Sequence, residues 1–109
     1  MPQQSEWDIS VEDLKKLRDD GADFVLVDVR EQREVEICEI GGEQLPLGQL
    51  PARMDELDRR AHIIVHCHTG GRSSQAVNAL RAAGFENVWN LQGGIRAWTQ
   101  RIDSSLRDY

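Results

Sequence analysis

Short apolar runs alternate with amphipathic stretches along the chain, and this alternation is typical of an α/β domain. Residues 24–29 and 63–65 are almost continuously apolar, which favours parallel strands that are covered on both faces. A weaker apolar run over Val88–Leu91 predicts a third strand. We therefore expect a central, mostly parallel sheet that is flanked by helices on both faces.

Two amphipathic stretches predict the main helices. In the first, Ser10 and Asp13 have the spacing of a capping box, and we expect the helix to end at Gly21. The second begins at Ser73, and Gly84 stands where a helix-terminating glycine belongs. The apolar stripe of this second helix comprises Ala76, Val77, Leu80 and Ala83. A last short helix is marked by Ile95 and Trp98.

The pattern is weaker between the first two strands and at the end of the chain. Residues 31–39 are charged and only loosely helical, residues 45–47 favour a short strand, and residues 50–57 favour a short helix. The tail, residues 101–109, is mostly polar and is expected to fray. Because the chain has no repeat, low-complexity tract or linker, residues 1–109 are predicted to form one domain.

Charge and composition exclude several classes of protein. Thirteen Lys and Arg against nineteen Asp and Glu give a net charge of −6, which argues against binding to nucleic acid or to an anionic membrane. No apolar run approaches the roughly 18 residues of a membrane span, and residues 1–6 do not resemble a signal peptide. We therefore expect a cytoplasmic protein. Cys38 and Cys67 allow at most one disulfide, so we expect at least one working thiol.

The candidate chemistry lies where predicted strands end, because parallel α/β sheets bind ligands beyond the carboxyl ends of their strands. The segment Cys67-His68-Thr69-Gly70-Gly71-Arg72-Ser73 places a thiol there, followed by two glycines and an arginine. Inward-facing backbone N–H groups, a helix N-terminus and a guanidinium would stabilise a thiolate. An ordinary cysteine, with a pKa of about 8.5, is only about 3% thiolate at pH 7. These groups are therefore what an activated Cys67 needs.

This segment resembles the active-site loop of rhodanese-like sulfurtransferases, Cys-x-x-Gly-x-Arg-Ser. Asp28-Val29-Arg30-Glu31 resembles the Asp-x-Arg turn of the same family. Leu91-Gln92-Gly93-Gly94-Ile95, with Trp98, resembles its Leu-x-Gly-Gly…Trp segment. The resemblance spans nearly the whole chain and is strongest to the single-domain members. It implies the rhodanese-like three-layer fold.

The resemblance also implies a reaction. The thiolate of Cys67 would take sulfane sulfur from a donor such as thiosulfate, hold it as a persulfide, and pass it to cyanide, a thiol or a protein. The persulfide-binding loop would comprise His68, Thr69, Gly70, Gly71, Arg72 and Ser73. Within it, Arg72 would orient the loop and meet a small anionic donor. Asp28 and Arg30 would either brace the loop or form a turn with a surface ion pair. No cofactor or metal is expected.

Other functions stay open at this point. A non-catalytic module that binds a partner protein is one alternative. A phosphatase is another, although such loops hold five residues between cysteine and arginine and this loop holds four. A metal site would use His62, His66, Cys67 and His68, but His66 and Cys67 should face opposite sides of the strand. The sequence does not predict an oligomeric state.

The sequence also leads to expectations for His66, His68 and Cys38. His66 is interpreted as a hydrogen-bonded or exposed strand end, and His68 could line the pocket mouth and tune acceptor choice. Cys38 lacks the activating surroundings of Cys67, so a structural role is favoured over one as a resolving thiol. It begins the segment Cys38-Glu39-Ile40-Gly41-Gly42, where many relatives carry Gly-His-Ile-x-Gly-Ala. The missing histidine suggests a different donor or partner preference.

Overall fold

The computed structural model describes residues 7–109, and within this range the chain forms a five-stranded sheet that is parallel throughout. The expectation that residues 1–6 are not a signal peptide falls outside the described residues. The strands are β1 (Asp8–Ile9), β2 (Val25–Asp28), β3 (Glu43–Gln44), β4 (Ile63–His66) and β5 (Val88–Leu91). Their order in the sheet is β1-β5-β4-β2-β3.

Helices cover both faces of this sheet, which confirms the predicted three-layer α/β architecture. The helices are α1 (Val11–Asp19), α2 (Gln32–Val35), α3 (Leu50–Arg53), α4 (Gly71–Ala82) and α5 (Gly94–Arg101). One face of the sheet packs against α1 and α5, and the other packs against α3 and α4. Among residues 7–109, no helix combines the length and apolar character that a membrane crossing requires.

The two main helices begin and end largely as predicted. The capping box of α1 is present, with the Asp13 amide donating to the Ser10 hydroxyl over 3.1 Å. Helix α4 begins at Gly71, two residues before the predicted start. Gly84 follows α4 with a φ of +98°, a conformation that glycine adopts without strain. The helix predicted over residues 50–57 is α3 followed by a 3₁₀ turn at Met54–Glu56.

The strand predicted over residues 45–47 lies two residues earlier, at β3. The amide of Leu45 still donates to the carbonyl of Asp28 in β2 over 2.8 Å. Pro46 has no N–H to donate to a sheet, and a 3₁₀ turn follows at Leu47–Gln49. The strand therefore ends before the proline.

The alternation of side chains along β4 assigns His66 and Cys67 to opposite faces of the sheet. Ile63 and Val65 lie in the core beneath α4, and Ile64 lies in the core beneath α1 and α5. Cys67 continues the first series and belongs to the α4 core. His66, one residue earlier, belongs to the opposite face. The nucleophile candidate therefore lies at the carboxyl end of β4, facing α4.

The tail does not match the prediction that residues 101–109 fray. Beyond α5, the side chains of Ile102, Leu106 and Tyr109 pack on the core that α1 and α5 share. The intervening residues are polar, so the average composition of the tail obscures this apolar series. The packed tail brings Tyr109 back to the loop that follows β4.

Candidate active site

The sulfur of Cys67 lies inside a ring of hydrogen-bond donors. The amide of Gly70 donates to Sγ over 3.1 Å, and the hydroxyl of Ser73 lies 3.4 Å from it. The residue as a whole is only 1% exposed. Gly70 has a φ of +113° at the N-cap of α4, a left-handed conformation that side chains with a Cβ rarely adopt. Of the two glycines predicted to permit unusual torsions, Gly70 has one, whereas Gly71 is the first residue of the helix.

These donors determine the protonation of the thiol. Burial alone would raise the pKa of Cys67, since it disfavours the charged form. The hydroxyl and amide of Ser73 and the amides of Gly70 and Thr69 act in the opposite direction and outweigh it, so the pKa is lowered. The donors therefore favour the thiolate form of this buried thiol, which is the form that acts as a nucleophile.

Ser73 is itself held by a chain of polar groups that reaches the edge of the sheet. Its hydroxyl lies 2.5 Å from Oδ1 of Asn90, a buried residue of β5. The side-chain amide of Asn90 donates to a carboxylate oxygen of Asp8 over 2.9 Å. The sequence analysis missed both Asn90 and Asp8. The available signal was an amide side chain in the otherwise apolar run of β5.

Helix α5 holds the backbone of the Cys67 loop through two hydrogen bonds. The amides of Ile95 and Arg96 donate to the carbonyls of Cys67 and His68, each over 3.0 Å. Gly94 precedes them with a φ of +61°, and a Cβ at this position would collide with the His68 carbonyl. The Gly-Gly segment of the sequence therefore allows the N-terminus of α5 to approach the loop this closely.

Arg72 points to a carboxylate that the sequence analysis did not identify. Its guanidinium makes two parallel hydrogen bonds with Glu34 of α2, of 2.7 Å and 2.8 Å. Glu34 is 9% exposed, and its pKa is lowered to about 2, chiefly by the hydrogen bonds from Arg72. The pairing also raises the pKa of Arg72. The signal in the sequence was the three-residue spacing of Glu31 and Glu34. In the structure these two glutamates form a capping box at the start of α2.

Tyr109 joins this ion pair to the rest of the site. Its hydroxyl donates to Glu34 over 2.9 Å and accepts from the guanidinium of Arg30 over 3.0 Å. Burial, together with the neighbouring Glu34 and despite Arg30, raises the pKa of Tyr109 to about 12. Its ring stacks on the imidazole of His68, with centroids 3.9 Å apart and planes 13° from parallel. His68, the first loop residue after Cys67, therefore has an aromatic partner, and its expected role at the pocket mouth stays a prediction.

Asp28 and Arg30 form a buried ion pair, so the alternative of a surface pair is wrong. Their side chains are 2% and 0% exposed, and the closest pair of charged atoms is 2.7 Å apart. Arg30 also donates to the carbonyls of Glu34 and Cys38. These bonds connect Arg30 to helix α2, which carries Glu34, the partner of Arg72.

His66 and Cys38 are both buried. His66 is fully buried, with Nδ1 3.3 Å from the carbonyl of Cys67 and Nε2 3.6 Å from Asp28. Burial is the main reason that its pKa is lowered. Cys38 is a buried free thiol whose carbonyl accepts from Arg30. Within residues 7–109, no three His, Cys, Asp or Glu side chains are grouped to hold a metal ion.

A comparison with protein families agrees with this geometry. The model of the family described as "Rhodanese-like domain" matches residues 10–101, which is most of the chain. The chain belongs to the rhodanese-like family. The resemblance inferred from the loop, the Asp-x-Arg turn and the Gly-Gly segment is confirmed.

Named relatives of this rhodanese-like domain include sulfur-handling proteins. It is 36% identical to a protein named "Sulfurtransferase" from Allochromatium vinosum, over 85% of this chain and 88% of that one. It is 35% identical to "Putative sulfur carrier protein YrkF" of Bacillus subtilis, over 88% of this chain and 52% of that one. The chain thus spans about half the length of YrkF, and 37% of the length of another relative.

A solved structure shows the same fold. A rhodanese-related protein from Thermoplasma volcanium superposes with a TM-score of 0.80 at 28% sequence identity, covering 87% of this chain and 92% of that one. The rhodanese-like fold is therefore shown independently of the loop motif. Relatives named as sulfurtransferases and sulfur carriers relate the family role to sulfur donors and acceptors in general.

Proposed function

We propose that this rhodanese-like domain is a sulfurtransferase that carries sulfane sulfur as a persulfide on Cys67. The observation that carries the proposal is the convergence of the Gly70 amide and the Ser73 hydroxyl on one buried sulfur. A cysteine that served only to fill the core would not need these donors. They lower its pKa and so supply the nucleophile that the reaction needs.

The proposed reaction has two displacements on sulfur. In the first, the Cys67 thiolate attacks the outer sulfur of a donor such as thiosulfate. A new S–S bond forms, the donor S–S bond breaks, and sulfite leaves with its electron pair. In the second, cyanide or a thiolate attacks the terminal sulfur, and the Cys67 thiolate leaves. The transferred sulfur atom keeps its oxidation level in both displacements, so the reaction needs neither a cofactor nor an external oxidant.

The size of the loop supports sulfur chemistry over phosphate-ester hydrolysis. Four residues separate Cys67 from Arg72, one fewer than in phosphatase loops of the same general design. A tighter ring of amides suits one added sulfur atom better than a tetrahedral phosphate ester. The alternative of a partner-binding module without chemistry does not explain the donors around the sulfur.

Intact-mass spectrometry after incubation with thiosulfate tests the proposal. We expect the wild-type protein to gain the mass of one sulfur atom and to lose it on addition of cyanide, with formation of thiocyanate. Cys67→Ser should gain nothing while keeping the wild-type circular dichroism spectrum. Cys38→Ser is the matched control and should load like the wild type. Loading of Cys67→Ser would overturn the assignment of the persulfide to Cys67.

A further inference from the structure

The charge that Arg72 brings to the site is already paired. Its guanidinium is held by both oxygens of Glu34, and its side chain is 35% exposed against 11% for Glu34. A donor that approaches the loop therefore meets a neutral pair in place of a free cation. This differs from the sequence expectation, in which Arg72 meets an anionic donor directly.

Glu34 is fixed in this position by more than Arg72. The backbone amide of Glu31 donates to its Oε1 over 3.1 Å, and the hydroxyl of Tyr109 donates to its Oε2 over 2.9 Å. Each carboxylate oxygen thus has a second donor besides Arg72. The backbone of Glu31 and the packed tail therefore hold the carboxylate beside Arg72 from two sides.

A second guanidinium close to the site, that of Arg30, is also neutralised. Arg30 contacts Tyr109, but its guanidinium is buried against Asp28. The stack of Tyr109 on His68 adds an aromatic surface beside the loop. Arg72 with Glu34, and Arg30 with Asp28, thus form two ion pairs without net charge.

We propose that Glu34, held in place by Tyr109, is a specificity-determining residue that makes Cys67 favour persulfide donors over thiosulfate. The inference rests on the proposed function. Thiosulfate carries two negative charges and a persulfide at most one, so a neutralised Arg72 penalises thiosulfate more. In the favoured step, the Cys67 thiolate attacks the terminal sulfur of R–S–SH. The donor S–S bond breaks, and R–S⁻ leaves with its electron pair and takes a proton from water.

The test compares two sulfur donors on two variants, one in α2 and one directly after it. Glu34→Gln keeps the shape of the side chain and removes its charge. Glu36→Gln is the matched control, since Glu36 is an exposed glutamate one residue beyond α2 and its substitution changes the net charge equally. Loading of Cys67 is followed by intact mass against concentration, with thiosulfate and with the persulfide of 2-mercaptoethanol. Maximal rate and half-saturating concentration are measured separately.

For Glu34→Gln we expect the half-saturating concentration of thiosulfate to fall about tenfold. The value for the persulfide should change by less than about twofold, and Glu36→Gln should resemble the wild type with both donors. An unchanged or raised value for thiosulfate in Glu34→Gln would overturn the inference. An equal effect of Glu36→Gln would also overturn it, because the charge of the whole surface would then be responsible.

A second variant keeps the inference testable if Glu34→Gln does not fold, as judged by circular dichroism. Tyr109→Phe keeps the ring on His68 and removes the hydroxyl that holds Glu34. We expect the half-saturating concentration of thiosulfate to fall about twofold relative to that of the persulfide. An unchanged ratio of the two values would refute the role of Tyr109. Wild-type protein that loads from neither donor refutes the proposed function as well. Loading with an unaltered preference in the variants refutes only the inference.

Discussion

The hydroxyl of Ser73 lies 2.5 Å from Oδ1 of Asn90 and 3.4 Å from the sulfur of Cys67. The carbonyl of Gly70 is a third acceptor, 3.2 Å from the same hydroxyl, so one proton is shared among three acceptors. Because the amide of Asn90 donates to Asp8, its oxygen is the atom turned towards Ser73. The chain of polar groups that begins at the sheet edge therefore helps determine how much stabilisation the sulfur receives.

Removing this hydroxyl should make Cys67 a weaker acid. We expect Ser73→Ala to raise the pKa of Cys67 by about one unit, since a hydrogen bond to a charged group contributes about 1.5–3 kcal/mol and this one is shared. The pH dependence of alkylation by iodoacetamide in a Cys38→Ser background measures the shift. Ser74→Ala, the next position on α4, is the control. A titration of Ser73→Ala that coincides with that of the control would contradict the prediction.

The glycine that begins α5 should be required for the loop. Gly94→Ala introduces a methyl group where the His68 carbonyl lies and also strains the backbone, so we expect a loss of about 3 kcal/mol in unfolding free energy and slower sulfur loading. Gly84→Ala is a matched control at a φ of +98° with open space around it. It should cost only about 1–2 kcal/mol and leave loading unchanged. Urea unfolding and intact mass measure the two effects, and equal behaviour of the two variants would refute the steric argument.

Removal of Arg72 should weaken the binding of thiosulfate by more than the loss of one positive charge alone would. Arg72→Ala leaves the carboxylate of Glu34 unpaired beside the loop, so we expect the half-saturating concentration of thiosulfate to rise by about tenfold or more. The double variant Arg72→Ala, Glu34→Gln restores the wild-type charge balance and should recover much of this loss. Steady-state formation of thiocyanate measures it. No recovery in the double variant would show that Arg72 acts by holding the loop.

At acid pH, the free energy of unfolding should show how much the Glu34–Arg72 pair contributes to stability. The folded pKa of Glu34 is about 2, against an ordinary value of 4.5. Its contribution is therefore fully present above the ordinary value and is lost as the pH falls through the folded one. We expect the difference in unfolding free energy between wild type and Glu34→Gln to be constant above about pH 5 and to narrow towards pH 2. Urea unfolding at several pH values tests this, and a gap that does not depend on pH would contradict it.

Local patterns predicted much of the fold and the centre of the site. The capping box of α1, the apolar runs of β2 and β4, and the segment from Cys67 to Ser73 all lie within a few consecutive residues. Each depends on neighbours along the chain, so spacing and side-chain type are enough to find it. The strand expected over residues 45–47 was misplaced because Pro46 interrupts the pairing that the apolar pattern favoured.

The sequence by itself determined which thiol lies at a strand end, which glycines and arginine follow it, and the family to which the chain belongs. Only the tertiary structure decided the surroundings of that thiol. Tyr109 and Glu34 are 75 residues apart and meet only because the tail returns across the sheet. Arg72 and Glu34, 38 residues apart, meet because parallel strands bring their carboxyl-end loops to one edge. Charge balance at the site is therefore a property of topology, which no local pattern contains.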